Sequence, residues 1–192
     1  MNYFDDFVVS KPEFNLLSVG EHIVRIIRAE QVTSFQQYSG DEKVTLPEWK
    51  DATPQLAITI VSAEEGKSGG LTHRFNGLGY LKMPELSKAQ VKSGLYEDKQ
   101  GYACSLNEDG LLVREKSELH TKECANILNQ FAGALGLKEG QKLGKELPKV
   151  ISDQVTFRVT VVNKPYQGKD QLRLTGFKAV GAGVTVKADF ED

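Results

Sequence analysis

Residues 55–80, QLAITIVSAEEGKSGGLTHRFNGLGY, decide the fold. Leu56, Ile58 and Ile60 alternate with Ala57, Thr59 and Val61, the two-residue period of a strand that buries one face. Glu64, Glu65 and Gly66 end that strand at about residue 63, and the GKSGG turn at 66–70 leads into a third strand over 71–80. Two β-rich runs joined by a short glycine-containing turn predict an antiparallel hairpin.

Upstream, GEHIVRIIRAEQV at 20–32 places Ile23 and Ile27 on one side of an extended chain and Val24 and Ile26 on the other. Apolar β-branched residues on both faces predict a long first strand shared by two parts of a sheet. The pattern then lapses over 33–53, which holds Phe35, Tyr38, Trp49 and Pro47 and reads as a long loop. Downstream, 81–118 reads as an insertion with its own hairpin, 102–106 and 111–115, joined by Asn107-Glu108-Asp109-Gly110. Thr121 is a candidate N-cap for a helix on which Cys124, Ile127, Leu128, Phe131 and Leu135 form one stripe, ended by Gly136. After a basic, glycine-containing connection, 154–163 alternates Val155, Phe157, Val159 and Val161 against Thr156, Arg158 and Thr160, and the turn KPYQGKD leads to a last strand at 171–177. Phe75, Phe131 and Phe157 fall in register with aliphatic neighbours and are expected in the core.

Three strands, one helix and two strands is the order of a five-stranded Greek-key barrel of the OB type, here with an inserted hairpin. An unrelated α+β sandwich with the same element count is the competing arrangement. The expected organisation is an N-terminal arm at 1–19, an OB-type domain at 20–180 with its insertion at 81–118, and an acidic tail at 181–192.

With 192 residues, 40% hydrophobic and 26% charged, the chain has the composition of one globular domain. No secretory leader and no apolar run of membrane length is seen, so a cytoplasmic protein without a membrane partner is expected. Cys104 and Cys124 are far apart and accompanied only by His22, His73 and His120, which suggests free thiols and no metal. No paired nucleophile and base, GxSxG or phosphate loop is present; neither catalysis nor a cofactor is expected. GLGY at 77–80 opens no helix and is expected to permit a bulge or bend.

Net charge is −2, yet the acids Asp5, Asp6, Asp189, Glu191 and Asp192 sit at the two ends, and 138–178 carries nine Lys or Arg against four Asp or Glu. OB barrels bind between the first-to-second and fourth-to-fifth strand loops. Phe35, Tyr38 and Trp49 lie in the first of these, and Tyr166 lies between Lys164 and Lys169 in the second. Aromatic side chains stack bases while cations follow phosphates, so these residues, with Arg74, Arg158 and Arg173 on the strand faces opposite the apolar ones, are candidate contacts to a single strand. An OB-type protein-interaction module whose basic groove takes an acidic partner segment is the alternative.

The stretch TPQLAITIVSAEEGKSGGLTHRFNGLGYLK, with ANILNQFAGALGL further on, resembles phage-encoded single-stranded DNA-binding proteins that accompany replication or recombination genes. The resemblance rests on an L-x-I-x-I strand before an acidic-glycine turn, then RFN, and a helix ending near ALGL, over roughly residues 20–180. It implies single-stranded DNA as ligand and the host cytoplasm as location. The insertion departs from the compact pattern and is a candidate homodimer contact or DNA clamp. Asp189, Phe190, Glu191 and Asp192 resemble the acidic tail with a near-terminal phenylalanine that recruits replication and recombination proteins in such binders.

Overall fold

A long first strand organises the molecule. The computed structural model describes residues 15–38, 49–88, 90–91, 94–98, 100–165 and 170–181, without the side chains of 34–38 and 49–52. Strand β1 (Gly20–Tyr38) pairs along its length with β2 (Trp49–Ser62) and, through residues 20–25, with β7 (Thr156–Asn163). β2 also pairs with β3 (Gly70–Asn76), and β7 with β8 (Leu172–Ala179), giving an antiparallel five-stranded sheet of order β3-β2-β1-β7-β8. One element can serve both halves because its inner residues, Val24 and Ile26, are fully buried, and a bulge between Ile26 and Arg28 turns it between partners.

The inner face closes on aromatic rings. Helix α1 (Glu118–Ala134) places Phe131 with its ring centroid 4.8 Å from Phe75 of β3 and 5.5 Å from Phe177 of β8, and those two lie 5.4 Å apart. Ile58, Ile60, Phe157, Val159 and Val161 complete this core. Truncating the fully buried Phe131 to alanine would cost about 3–5 kcal/mol. A closed barrel is the sequence expectation, but among the described residues no ladder joins β3 to β8. Ladder strands must approach to about 4.8 Å; here the two edges meet instead through side-chain packing.

Two α-helices are present among the described residues where the sequence reading has one. α2 (Leu143–Ser152) occupies the stretch read as a basic connection, burying Leu147 and Val150. The cap of α1 is Ser117, whose Oγ accepts from the His120 amide at 3.2 Å, rather than Thr121. Thr121 Oγ1 instead accepts from the Gly79 amide at 3.1 Å. The expected loop at 33–53 is largely strand: β1 and β2 continue as a two-stranded ribbon to the pair Tyr38–Trp49, and only 39–48 lie outside the described residues.

The insertion forms a separate three-stranded sheet, β4 (Tyr96–Glu97), β5 (Ala103–Leu106) and β6 (Leu112–Arg114). Its hairpin is where the alternation places it. Bridges Tyr80–Lys116 and Lys82–Tyr102 tie its base together, and the Tyr80 hydroxyl lies 2.8 Å from Thr53 Oγ1 on β2. Inside it Arg114 and Asp98 are buried together, with Arg114 Nε donating to Asp98 Oδ2 at 2.7 Å and the guanidinium 4.3 Å from the Tyr102 ring centre.

Candidate functional site

The open seam between β3 and β8 is a groove of about 420 Å³. β3 contributes His73, Arg74 and Asn76; β8 contributes Arg173, Thr175 and Phe177; Lys164 follows β7; and α1 supplies Cys124, Ile127 and Gln130. Alternation explains this set. Phe75 points inward, so Arg74 and Asn76 are exposed, and the same parity exposes Arg173 and Thr175 beside the buried Leu174. Among the described residues three cations and no carboxylate line the groove, an arrangement that favours an anionic ligand. Among the described residues neither Arg74 nor Lys164 forms an ion pair, while Arg173 Nη2 donates to Gln171 Oε1 at 3.2 Å.

His73 gives the groove a neutral interior. Its ring stands edge-on to Phe75 at 4.7 Å, and burial, reinforced by the Arg173 charge, lowers its pKa to about 4. The imidazole is therefore uncharged at neutral pH, one nitrogen a donor and the other an acceptor. Cys124 is also held neutral: burial first, then the Glu123 charge, pushes its thiol up, and Sγ donates toward the Leu78 carbonyl at 3.6 Å.

Of the residues singled out from the sequence, Arg74, Lys164 and Arg173 come together in this groove. Arg158 does not join them; it sits on β7 with Nη1 3.3 Å from Glu21 Oε2, near Lys178 of β8. Phe35, Tyr38 and Trp49 stand on the β1–β2 ribbon, where Phe35 pairs with Ala52, rather than in a loop. Tyr166 and Lys169 lie outside the described residues, as do Asp189, Phe190, Glu191 and Asp192.

Sequence reasoning passed over His73 and Gln130. The period-two pattern already puts His73 on the face of Phe75, so an inward histidine beside Arg74 was the available signal. Gln130 carries no such mark, because only the seam gives an exposed helical amide a partner surface. Arg28 was also passed over; it lies on the outer face of β1, in the cross-strand row Arg28–Thr59–Thr72, with Nη2 2.8 Å from Glu30. The hydroxyls of Thr59 and Thr72 are 3.2 Å apart in that row.

A second cleft, about 340 Å³, opens between α1, α2 and the β1–β2 pair, walled by Leu56, Leu128, Leu143, Leu147 and Ile151. Its lining is mostly apolar but also includes Glu30, Gln31 and Gln55, and among the described residues it holds no cation. GLGY proves to be a packing motif: Gly77 donates to the Pro54 carbonyl at 2.8 Å, and Gly79 lies against the first turn of α1. Compared with protein families and with curated proteins, the chain gives no match.

Proposed function

We propose that this chain is an OB-type protein that binds single-stranded DNA with little regard to sequence, in phage DNA replication or recombination. The observation that carries the reading is the convergence of Arg74, Lys164 and Arg173 on one groove that no carboxylate lines among the described residues. The five strands run in the order 3-2-1-4-5, counting along the main sheet, with α1 between the third and fourth; an OB barrel has this order. The β1–β2 ribbon occupies the place of the first binding loop in such a barrel and carries Phe35, Tyr38 and Trp49. Cations for phosphates and aromatics for bases are the two components a single strand needs.

Titration with poly-dT, duplex DNA and an acidic peptide over a range of salt tests the proposal. Each phosphate neutralised on a single strand contributes a log–log slope of about −0.7, so three to five contacts give roughly −2 to −3.5. Emission of Trp49, the single tryptophan, should fall on saturation. Equal affinity for duplex, or a slope near zero, rejects the single-strand reading; preference for the acidic peptide marks a protein-interaction module instead.

A further inference from the structure

A groove between two sheet edges can be a track along which a polymer runs or a pocket in which it stops. Here α1 lies across the seam, with Phe131 against both Phe75 and Phe177, so the groove is walled by the helix. Its chemistry is divided. The rim holds Arg74, Lys164 and Arg173, whereas the interior offers the Phe177 ring and the His73 imidazole, and the helical wall adds the exposed Gln130 amide. Neither His73 nor Gln130 has a hydrogen-bond partner among the described residues. A volume of about 420 Å³ falls within the roughly 300–1,000 Å³ of small-ligand pockets.

We propose that the seam is a single-nucleotide pocket, taking one nucleoside monophosphate unit with its base against His73, Gln130 and Phe177 and its phosphate at the Arg74–Lys164–Arg173 rim. A bare anion would leave the aromatic interior and the amide of the helical wall unused, and an apolar ligand would leave the charges of Arg74 and Lys164 unmatched. The neutral imidazole and the amide can each donate and accept, which suits the mixed donor and acceptor edge of a base. The unit is either a free nucleotide or the terminal nucleotide of a strand; the second source rests on the function proposed above.

Ring resonances of His73 in the full chain report occupancy directly. Addition of dTMP should shift them at concentrations at least tenfold below those needed with thymidine or inorganic phosphate alone. Gln130→Leu, which keeps the helix and removes the amide, should weaken dTMP at least fivefold; Arg173→Gln should weaken it similarly while leaving thymidine unaffected. In a second arm, linear oligo-dT is compared with the same sequence circularised. Preference of at least threefold for the linear form, lost in Gln130→Leu, assigns the pocket to a strand end. Equal binding of both forms, with the dTMP response intact, assigns it to free nucleotide. If dTMP binds and neither DNA form does, the pocket stands and the single-strand reading falls. The pocket is overturned if dTMP acts no better than inorganic phosphate, whether or not the DNA forms bind.

Discussion

Gly79 lies so close to His120 that a Cβ built on it would stand 2.2 Å from the His120 carbonyl carbon and 2.5 Å from the Thr121 nitrogen. The contact joins the end of the β2–β3 hairpin segment to the first turn of α1, reinforced by the Ser117 amide donating to the Gly79 carbonyl at 3.0 Å. The clash is with backbone, which cannot rotate away. Gly79→Ala is therefore expected to destabilise the chain by about 1–3 kcal/mol, in the range of overpacked cores, with a Tm fall of roughly 2–4 °C per kcal/mol. Gly133→Ala, where a Cβ meets nothing within 4 Å, should instead stabilise by up to about 0.5–1 kcal/mol as the last turn of α1 gains alanine. Thermal melts of both variants check the pair; equal melting of Gly79→Ala and the parent contradicts the packing.

Asp98 binds the insertion from within. Its Oδ1 accepts from the amides of Gln100 and Tyr102 at 2.8 and 2.9 Å, and its Oδ2 pairs with Arg114. Asp98→Ala leaves a buried guanidinium without its counter-charge, a change that costs about 3–5 kcal/mol. The loss should be local, because the insertion has its own small cluster of Cys104, Leu112 and Tyr96. Hydrogen exchange is expected to quicken across 96–114 while β1, β2 and β7 keep their protection. Uniform loss of protection would show that the two sheets unfold as one.

Much of this architecture was legible in the chain. Val155, Phe157, Val159 and Val161 announce β7, and the NEDG turn at 107–110 announces the hairpin of the insertion. α2 was equally written, since Leu143, Leu147, Val150 and Ile151 recur at helical spacing, but Gly144 and Pro148 are poor helix formers and mask that pattern. Tertiary burial of Leu147 and Val150 overrides that propensity. The ribbon was missed for a different reason. Residues 33–38 and 49–53 have no strong alternation because the ribbon extends past β3, whose pairing stops at Gln55–Asn76, so no second sheet face dictates their pattern. For the site, parity along β3 and β8 exposed Arg74 and Arg173, but their meeting depends on the two edges coming together around Phe131, which no local pattern encodes.

Two histidines are shifted in opposite directions from the ordinary range. His73 is depressed to about 4 by burial and then by Arg173, so between pH 6.5 and 4 the unfolded chain takes up a proton the folded chain refuses. Its contribution is fully present above about pH 6.5 and is lost as pH falls toward 4, of the order of 3 kcal/mol at full shift. His120 is raised, first by its hydrogen bond with Glu123 and then by that with Glu85, each 2.8 Å from the ring. Its contribution is present below about pH 6.5 and lost as pH rises through the elevated folded value. NMR titration of the ring protons should find His73 midpoints below, and His120 midpoints above, the ordinary histidine range. A normal midpoint for His73 would mean that the groove is wetter than its geometry implies.

Arg74 and Arg158 offer the sharpest contrast for the proposed activity, because both are strand arginines that alternation alone would treat alike. Arg74 lines the seam and makes no ion pair among the described residues, so its charge is available to a phosphate. Arg158 sits on β7 beside Glu21, which offsets its charge, and the groove lining does not include it. Arg74→Ala should therefore weaken poly-dT binding and reduce the magnitude of the salt slope by about 0.7, the contribution of one single-strand phosphate contact. Arg158→Ala should leave both unchanged and alter stability by no more than about 1 kcal/mol, as expected for an exposed ion pair. The double variant should match Arg74→Ala alone. If Arg158→Ala instead reduces the slope as much as Arg74→Ala, the strand follows the outer face of β7 and the seam is not its path.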